Sequence, residues 1–345
     1  MENNVYKNIH DLPLTKIQNA AVKLMQSDLQ FIYTAFINKE YLTPNYYIAL
    51  MPYLGLIIDG IEDWVKVYNN SSKNIKFKAP IFTKSQETYY AAMRESIKLY
   101  DKGANHLNAL LESKYDESQR YFSSSCKPLE KLLKFYDIYG VFSCNRIPCD
   151  NTILDQCFVP FFQYGKSDGE QIKNMAAIAG RYIVAFDINK SYTLDKNFTF
   201  SARDFGGFNE SPFGNSYNVK FMLFSIMCQI NFVIHAANNL IIEETPTKLR
   251  LSYLLYYYLC KIINSINDIC KTSLILNAQY SSEIFRNAMA HYKLGMVLDE
   301  CDIRDDYDFG LSVKILDTEY STLRRSIIDE LTNLSNQIKD IISWQ

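Results

Sequence analysis

Apolar residues recur at three- and four-residue steps along four stretches of residues 217–345, and each stretch predicts a helix. The first covers about Val219–Ile242 and is apolar on nearly every face, which suits the centre of a bundle. The second covers about Thr247–Thr272, where Leu251, Leu254, Leu255, Tyr258, Leu259, Ile262, Ile263, Ile266 and Ile269 fall on one side. The third runs about Ser282–Leu294, with Ser281 or Ser282 as its cap and Glu283 in its first turn. The fourth runs about Glu319–Trp344, and Leu323, Ile327, Leu331, Leu334, Ile338 and Ile341 form its stripe. No proline follows Pro246, and only Gly295 and Gly310 fall within 217–345, so little interrupts these helices. Four apolar faces that need partners predict a four-helix bundle.

The preceding part is less regular. Helical periodicity marks Thr15–Ile37, Tyr47–Val67, Thr83–Tyr100 and Pro128–Tyr139, while Arg181–Asp187 and Asn197–Ser201 read as short strands. The stretch Ser201–Ser216 is a loop by composition and sets a boundary near residue 216. The expected fold is therefore mainly α. A mostly helical domain with a few short strands, residues 1–216, has a regulatory or sensing role as its hypothesis, and the bundle covers 217–345.

Composition narrows the function without naming it. The chain is 48% hydrophobic, enough for ordinary cores, and its formal net charge of −2 creates no global field toward nucleic acid or membrane. Met1–Gln30 has no apolar core of a signal peptide, and the eight cysteines are irregularly spaced, so a cytoplasmic location is expected. Phe221–Ile242 lacks formal charge over a membrane-spanning length. Gln229, Asn231, His235, Asn238 and Asn239 would be costly there in hydrocarbon, so a buried helix and no membrane partner are expected. Cys144, Cys149 and Cys157 have neither CxxC spacing nor a nearby histidine, so no metal or cofactor is expected.

The segment Arg286-Asn-Ala-Met-Ala-His291 carries the candidate chemistry. On a helix, Ile284, Phe285, Ala288, Met289 and Tyr292 share a core face, and Arg286, Ala290, Leu294, Asn287 and His291 lie opposite. Arg286 and His291 are then separated by about 140° around the axis and about 7.5 Å along it. Asn287 and His291 form an i, i+4 pair. The set suits metal-free RNA cleavage, in which a 2′-hydroxyl attacks the neighbouring phosphate. His291 would move protons near neutrality, Arg286 would fork onto phosphate oxygens and Asn287 would orient either partner. An acidic connection, Asp299, Glu300, Asp302, Asp305, Asp306 and Asp308, would repel RNA unless it folds away or caps the last helix.

Arg286, Asn287 and His291, followed by Tyr292, resemble the signature of the HEPN family of nucleotide-binding helical domains: Arg, commonly a polar residue, then His after four to six positions. The likeness covers about residues 217–345. It implies a HEPN-like four-helix bundle and a metal-independent endoribonuclease of the toxin or antiphage abortive-infection type. It also implies a homodimer with two Arg–His sets facing one cleft, and an antitoxin or phage-derived trigger as a further partner. Tyr292, His235 and Asn239 are candidate substrate-binding residues beside the catalytic Arg286, Asn287 and His291. The alternative is a non-catalytic helical module that binds a nucleotide, RNA or a protein partner through the same cleft.

Overall fold

Several of the longer helices begin at a local sequence signal. The computed structural model describes residues 5–159, 162–164, 169–207 and 209–343. In chain order the N-terminal helices are α1 Lys16–Ile37, α2 Pro44–Ser71, α3 Lys84–Ile97, α4 Ala104–Ser124, α5 Pro128–Leu132, α6 Thr152–Phe158 and α7 Gly169–Ala185. They are followed by α8 Val219–Asn231, α9 Pro246–Cys270, α10 Glu283–His291, α11 Leu311–Leu316 and α12 Tyr320–Ile342. Thr15 and Thr83 close reciprocal capping boxes with Gln18 and Gln86, while Pro44 and Pro246 occupy first-turn positions that need no N–H partner. Among the described residues five short strands accompany them: β1 Val5–Lys7, β2 Ile75–Phe77, β3 Asp137–Cys144, β4 Ile147–Asn151 and β5 Phe200–Gly206. The protein is mainly helical.

The four helices expected after residue 216 correspond to α8, α9, α10 and α12. The end expected at Trp344 lies outside the described residues. Helix α8 continues as a π-helical segment, Phe232–Asn239. Residues Val219–Asn239 are the one described stretch long and apolar enough to cross a membrane, yet it is mostly buried within the protein. Its polar side chains find internal partners: Tyr100 donates to Gln229, Asn231 donates to the Pro148 carbonyl at 2.9 Å, and Asn238 donates to Ser252 at 2.7 Å. Side chains that hydrocarbon would leave unsatisfied are instead fasteners of a protein core.

Three expectations in the first half are corrected, one of them by β5, which runs Phe200–Gly206 where Asn197–Ser201 was expected as the strand and Ser201–Ser216 as a loop. Arg181–Asp187 is not a strand: α7 runs to Ala185, and Met175, Ile178, Ala179, Tyr182, Ile183 and Phe186 are buried at helical spacing, with Val184 exposed between them. The bulky run was too short to reveal that period. The helix expected over Pro128–Tyr139 stops at Leu132, and β3 begins at Asp137 after a left-handed Lys134. Helix α4 was not anticipated because its sequence is largely polar, although Ala104, Leu107, Leu111 and Tyr115 form a thin buried stripe.

Strands β4, β3 and β5 form an antiparallel sheet in that order, its hairpin turned by Asn145 and Arg146, both at positive φ. The sheet packs against α8 and α4. Across the expected boundary, α10 contacts α2, α1 contacts α9, and the buried apolar residues of both parts form one continuous cluster. The placement of α10 between α2 and α9 matters most for function.

Candidate functional site

Helix α10 is pinned at both ends. At its start, Ser282 accepts from the Phe285 amide at 3.2 Å, and the Ser282 amide donates to the Tyr253 hydroxyl at 2.9 Å. Phe285 packs edge-on against Tyr253 with ring centroids 4.5 Å apart. At its end, Tyr292 takes a left-handed conformation at φ 51° and stops the helix. Arg250 of α9 donates to the Ala290 carbonyl at 2.9 Å and to both Asp28 of α1 and the Tyr292 hydroxyl. Tyr292 in turn donates to Asp28 at 2.6 Å. Two other chain regions, α1 and α9, thus hold the residues on either side of His291.

Close approach of α2 completes the setting. A Cβ on Gly60 would lie 2.4 Å from the Ala290 carbonyl oxygen, so only glycine lets the two backbones meet there. The face of α10 expected to be open is therefore partly covered: Ala290 is buried, whereas Ile284, expected in the core, is 61% exposed. Leu294 is also buried, because the chain has left α10 and entered a single 3-10 turn, Leu294–Met296. The sequence expectation assumed a helix packed on one side, and α2 supplies a second.

Arg286 and His291 line one cavity of about 260 Å³. Its wall also carries Asp59 of α2, Arg94 of α3, Lys98 and Asp101 just beyond α3, and Tyr258 of α9. The Arg286 guanidinium lies over the rings of Tyr257 and Tyr258 at 5.3 and 5.5 Å, and donates to Asn287 Oδ1 at 2.7 Å. Those contacts hold a charged group at the cavity wall and leave its Nε buried without a hydrogen-bond partner. Arg94 donates to Asp59 Oδ1 at 2.8 Å and to Glu95 at 2.9 Å, and Lys98 reaches Glu95 at 3.0 Å.

His291 faces carboxylates. Its Nδ1 lies 3.2 Å from Asp63 Oδ2 and 4.0 Å from Asp59 Oδ2, but makes a hydrogen bond to neither. Burial lowers the His291 pKa below its ordinary 6.5. Lys293 acts in the same direction, and Asp63 and Asp59 oppose both. The imidazole is therefore predominantly neutral at pH 7, the form that accepts a proton or a metal ion. The ligand atoms of Asp59, Asp63 and His291 all lie within 4.8 Å of one another.

The remaining sequence candidates separate from this cavity. Asn287 Oδ1 accepts from the Arg286 guanidinium. Tyr292 is only 1% exposed and is bonded to Asp28 and Arg250, so it is corrected from substrate contact to anchor of α10. His235 lines a different cavity with Arg146 and Lys339, and Asn239 is exposed at the end of the π-helical segment. Neither joins the Arg286–His291 cavity; the π-helical segment that carries both packs against α9, β3 and β4. The acidic connection is largely self-satisfied: Asp308 accepts from the Ser312 amide, Asp306 from Gly310, and Asp302 pairs with Lys314. None of its carboxylates lines the cavity.

Sequence reading missed Asp59, Asp63, Arg94 and Lys98, all from the first half. One signal was present: Asp59 interrupts the apolar run Leu54-Gly-Leu-Ile-Ile-Asp-Gly-Ile61, and a carboxylate within a buried stripe needs a partner. Comparison of the chain with protein-family models, curated proteins and solved structures finds no match.

Proposed function

We propose that this chain is a metal-independent endoribonuclease of the HEPN type, with its helical bundle built from α8, α9, α10 and α12. The observation that carries the reading is a single cavity lined by Arg286, Arg94, Lys98 and the titratable His291. Three cations can hold a phosphodiester and stabilise charge developing on phosphorus, and a neutral imidazole can take the proton of a 2′-hydroxyl. In this mechanism the O2′–P bond forms, the P–O5′ bond breaks, and His291 receives the 2′-hydroxyl proton. The leaving 5′-oxygen takes a proton from a second acid, which two-fold pairing of α10 in a homodimer would supply. Products are a 2′,3′-cyclic phosphate and a 5′-hydroxyl.

Arg286 stabilises the phosphate and Asn287 orients its guanidinium. The toxin or antiphage role, with its antitoxin or phage-derived trigger, rests on the resemblance of the Arg-Asn-x3-His segment alone. The test is RNA cleavage and growth arrest by wild type, His291→Ala and Arg286→Ala, with and without EDTA. Loss of cleavage in both variants is expected, with wild-type activity retained in EDTA. Cleavage that survives both substitutions removes the proposed site, and abolition by EDTA removes the metal-free mechanism.

A further inference from the structure

We propose that Asp59, Asp63 and His291 form a binding site for one divalent first-row transition ion. Two carboxylate oxygens and an imidazole nitrogen are a donor set such ions accept, with water completing the coordination. Donors each about 2.1 Å from a common ion stand roughly 3.0 to 4.2 Å apart at angles from 90° to 180°. The separations from His291 Nδ1 to Asp63 and Asp59, 3.2 and 4.0 Å, fall within that range.

A second observation points to a cation rather than to a simple acidic patch. Asp59 is only 7% exposed, and its Oδ2, facing the cluster, is buried with no hydrogen-bond partner. His291 Nδ1 is likewise buried and unpartnered, although a carboxylate stands 3.2 Å away. An ion between the three groups satisfies both atoms at once. Arg94 grips the other Asp59 oxygen and so fixes the carboxylate from outside the cluster. Lys293, whose Nζ lies 3.9 Å from Asp63 Oδ2, opposes a cation and sets the affinity.

Occupancy has a consequence that rests on the ribonuclease reading. An ion on Nδ1 leaves the proton on Nε2, so His291 can no longer accept one, and the bound metal inhibits cleavage. The binding itself does not depend on that reading and is measured without RNA.

The probe is Mn2+, a hard ion that discriminates against the eight free thiols, followed by electron paramagnetic resonance on the chelator-stripped full chain. Saturable binding of one ion per chain is expected. Asp63→Asn and His291→Ala should each weaken it by at least about tenfold. Lys293→Gln should tighten it several-fold, a direction that damage to the fold does not produce. Absence of saturable binding, or binding unchanged by both ligand substitutions, overturns the site. If Mn2+ binds as expected but no RNA is cleaved, the metal site stands and the ribonuclease reading fails.

Discussion

Arg250 donates to the carbonyl of Ala290 at 2.9 Å, one residue before His291. Arg250 is 2% exposed and shares Asp28 with Tyr292, so a buried ion pair fastens the C-terminal end of α10 to both α9 and α1. The contact explains how a nine-residue helix holds His291 in place. Its stability comes from tertiary fastening rather than from helix length.

Removal of one partner from this group should be severe. Asp28→Ala leaves the Arg250 guanidinium buried without a counter-charge and is expected to cost about 3–5 kcal/mol. Tyr292→Phe removes the hydrogen bonds to Asp28 and from Arg250 but leaves that ion pair in place, so it should cost less, about 1.5–3 kcal/mol. Urea denaturation of both variants at pH 7 checks the order.

Gly60→Ala tests the approach of α2 to α10. The new methyl would meet the Ala290 carbonyl oxygen at 2.4 Å and the Tyr292 ring at 2.9 Å, so the helices must separate. A loss of about 1–3 kcal/mol is expected. RNA cleavage should fall by more than the folded fraction does, because His291 moves with Ala290. Thermal melts and single-turnover cleavage on the same samples separate the two effects.

The acid limb of kcat/KM should report His291. Burial and Lys293 lower its pKa, so the midpoint should lie below 6.5 in metal-free buffer. Lys293→Gln removes a cation and should move the midpoint up. Asp63→Asn removes a carboxylate that favours the charged imidazole and should move it further down. Identical profiles for all three proteins would exclude His291 as the titrating base.

Lys98 should contribute charge with little bearing on the fold. Its side chain is 38% exposed and pairs with Glu95, so Lys98→Ala should change stability by less than about 0.5 kcal/mol. Cleavage should weaken several-fold, and the slope of log KM against log salt should drop by about 1 if Lys98 holds a phosphate.

Asp308 gives a pH dependence remote from the cavity. Burial, with the neighbouring Asp306 charge, raises its pKa to about 7. The folded state therefore binds a proton that the unfolded state releases near pH 4. Stability contributed by the neutral carboxyl is lost as pH rises from about 4 through about 7. Asp308→Asn keeps an acceptor for the Ser312 amide and removes the titration. Its stability advantage over wild type should grow across that window to about 1–3 kcal/mol and then level off. Urea midpoints measured from pH 4 to pH 8 test the trend.

Much of the secondary structure was legible in the residues alone. Helices α1, α2, α8, α9, α10 and α12 follow from apolar spacing, first-turn prolines and capping side chains, which act over a few positions. Arg286, Asn287 and His291 were equally visible, since their spacing along one short helix is local information. The surroundings of that helix were not. Asp59, Asp63, Arg94 and Lys98 lie about two hundred residues away in the chain, and no local period connects them to α10. Tyr292 was read both on the core face and as a substrate contact, and packing settles it in the core against Asp28 and Arg250. His235 looked near the same chemistry, but α8 carried it to another cavity. Sequence therefore determined which helix bears Arg286, Asn287 and His291, because capping and periodicity are short-range. Tertiary structure decided what those groups face, because a buried charge takes whichever partner packing brings to it.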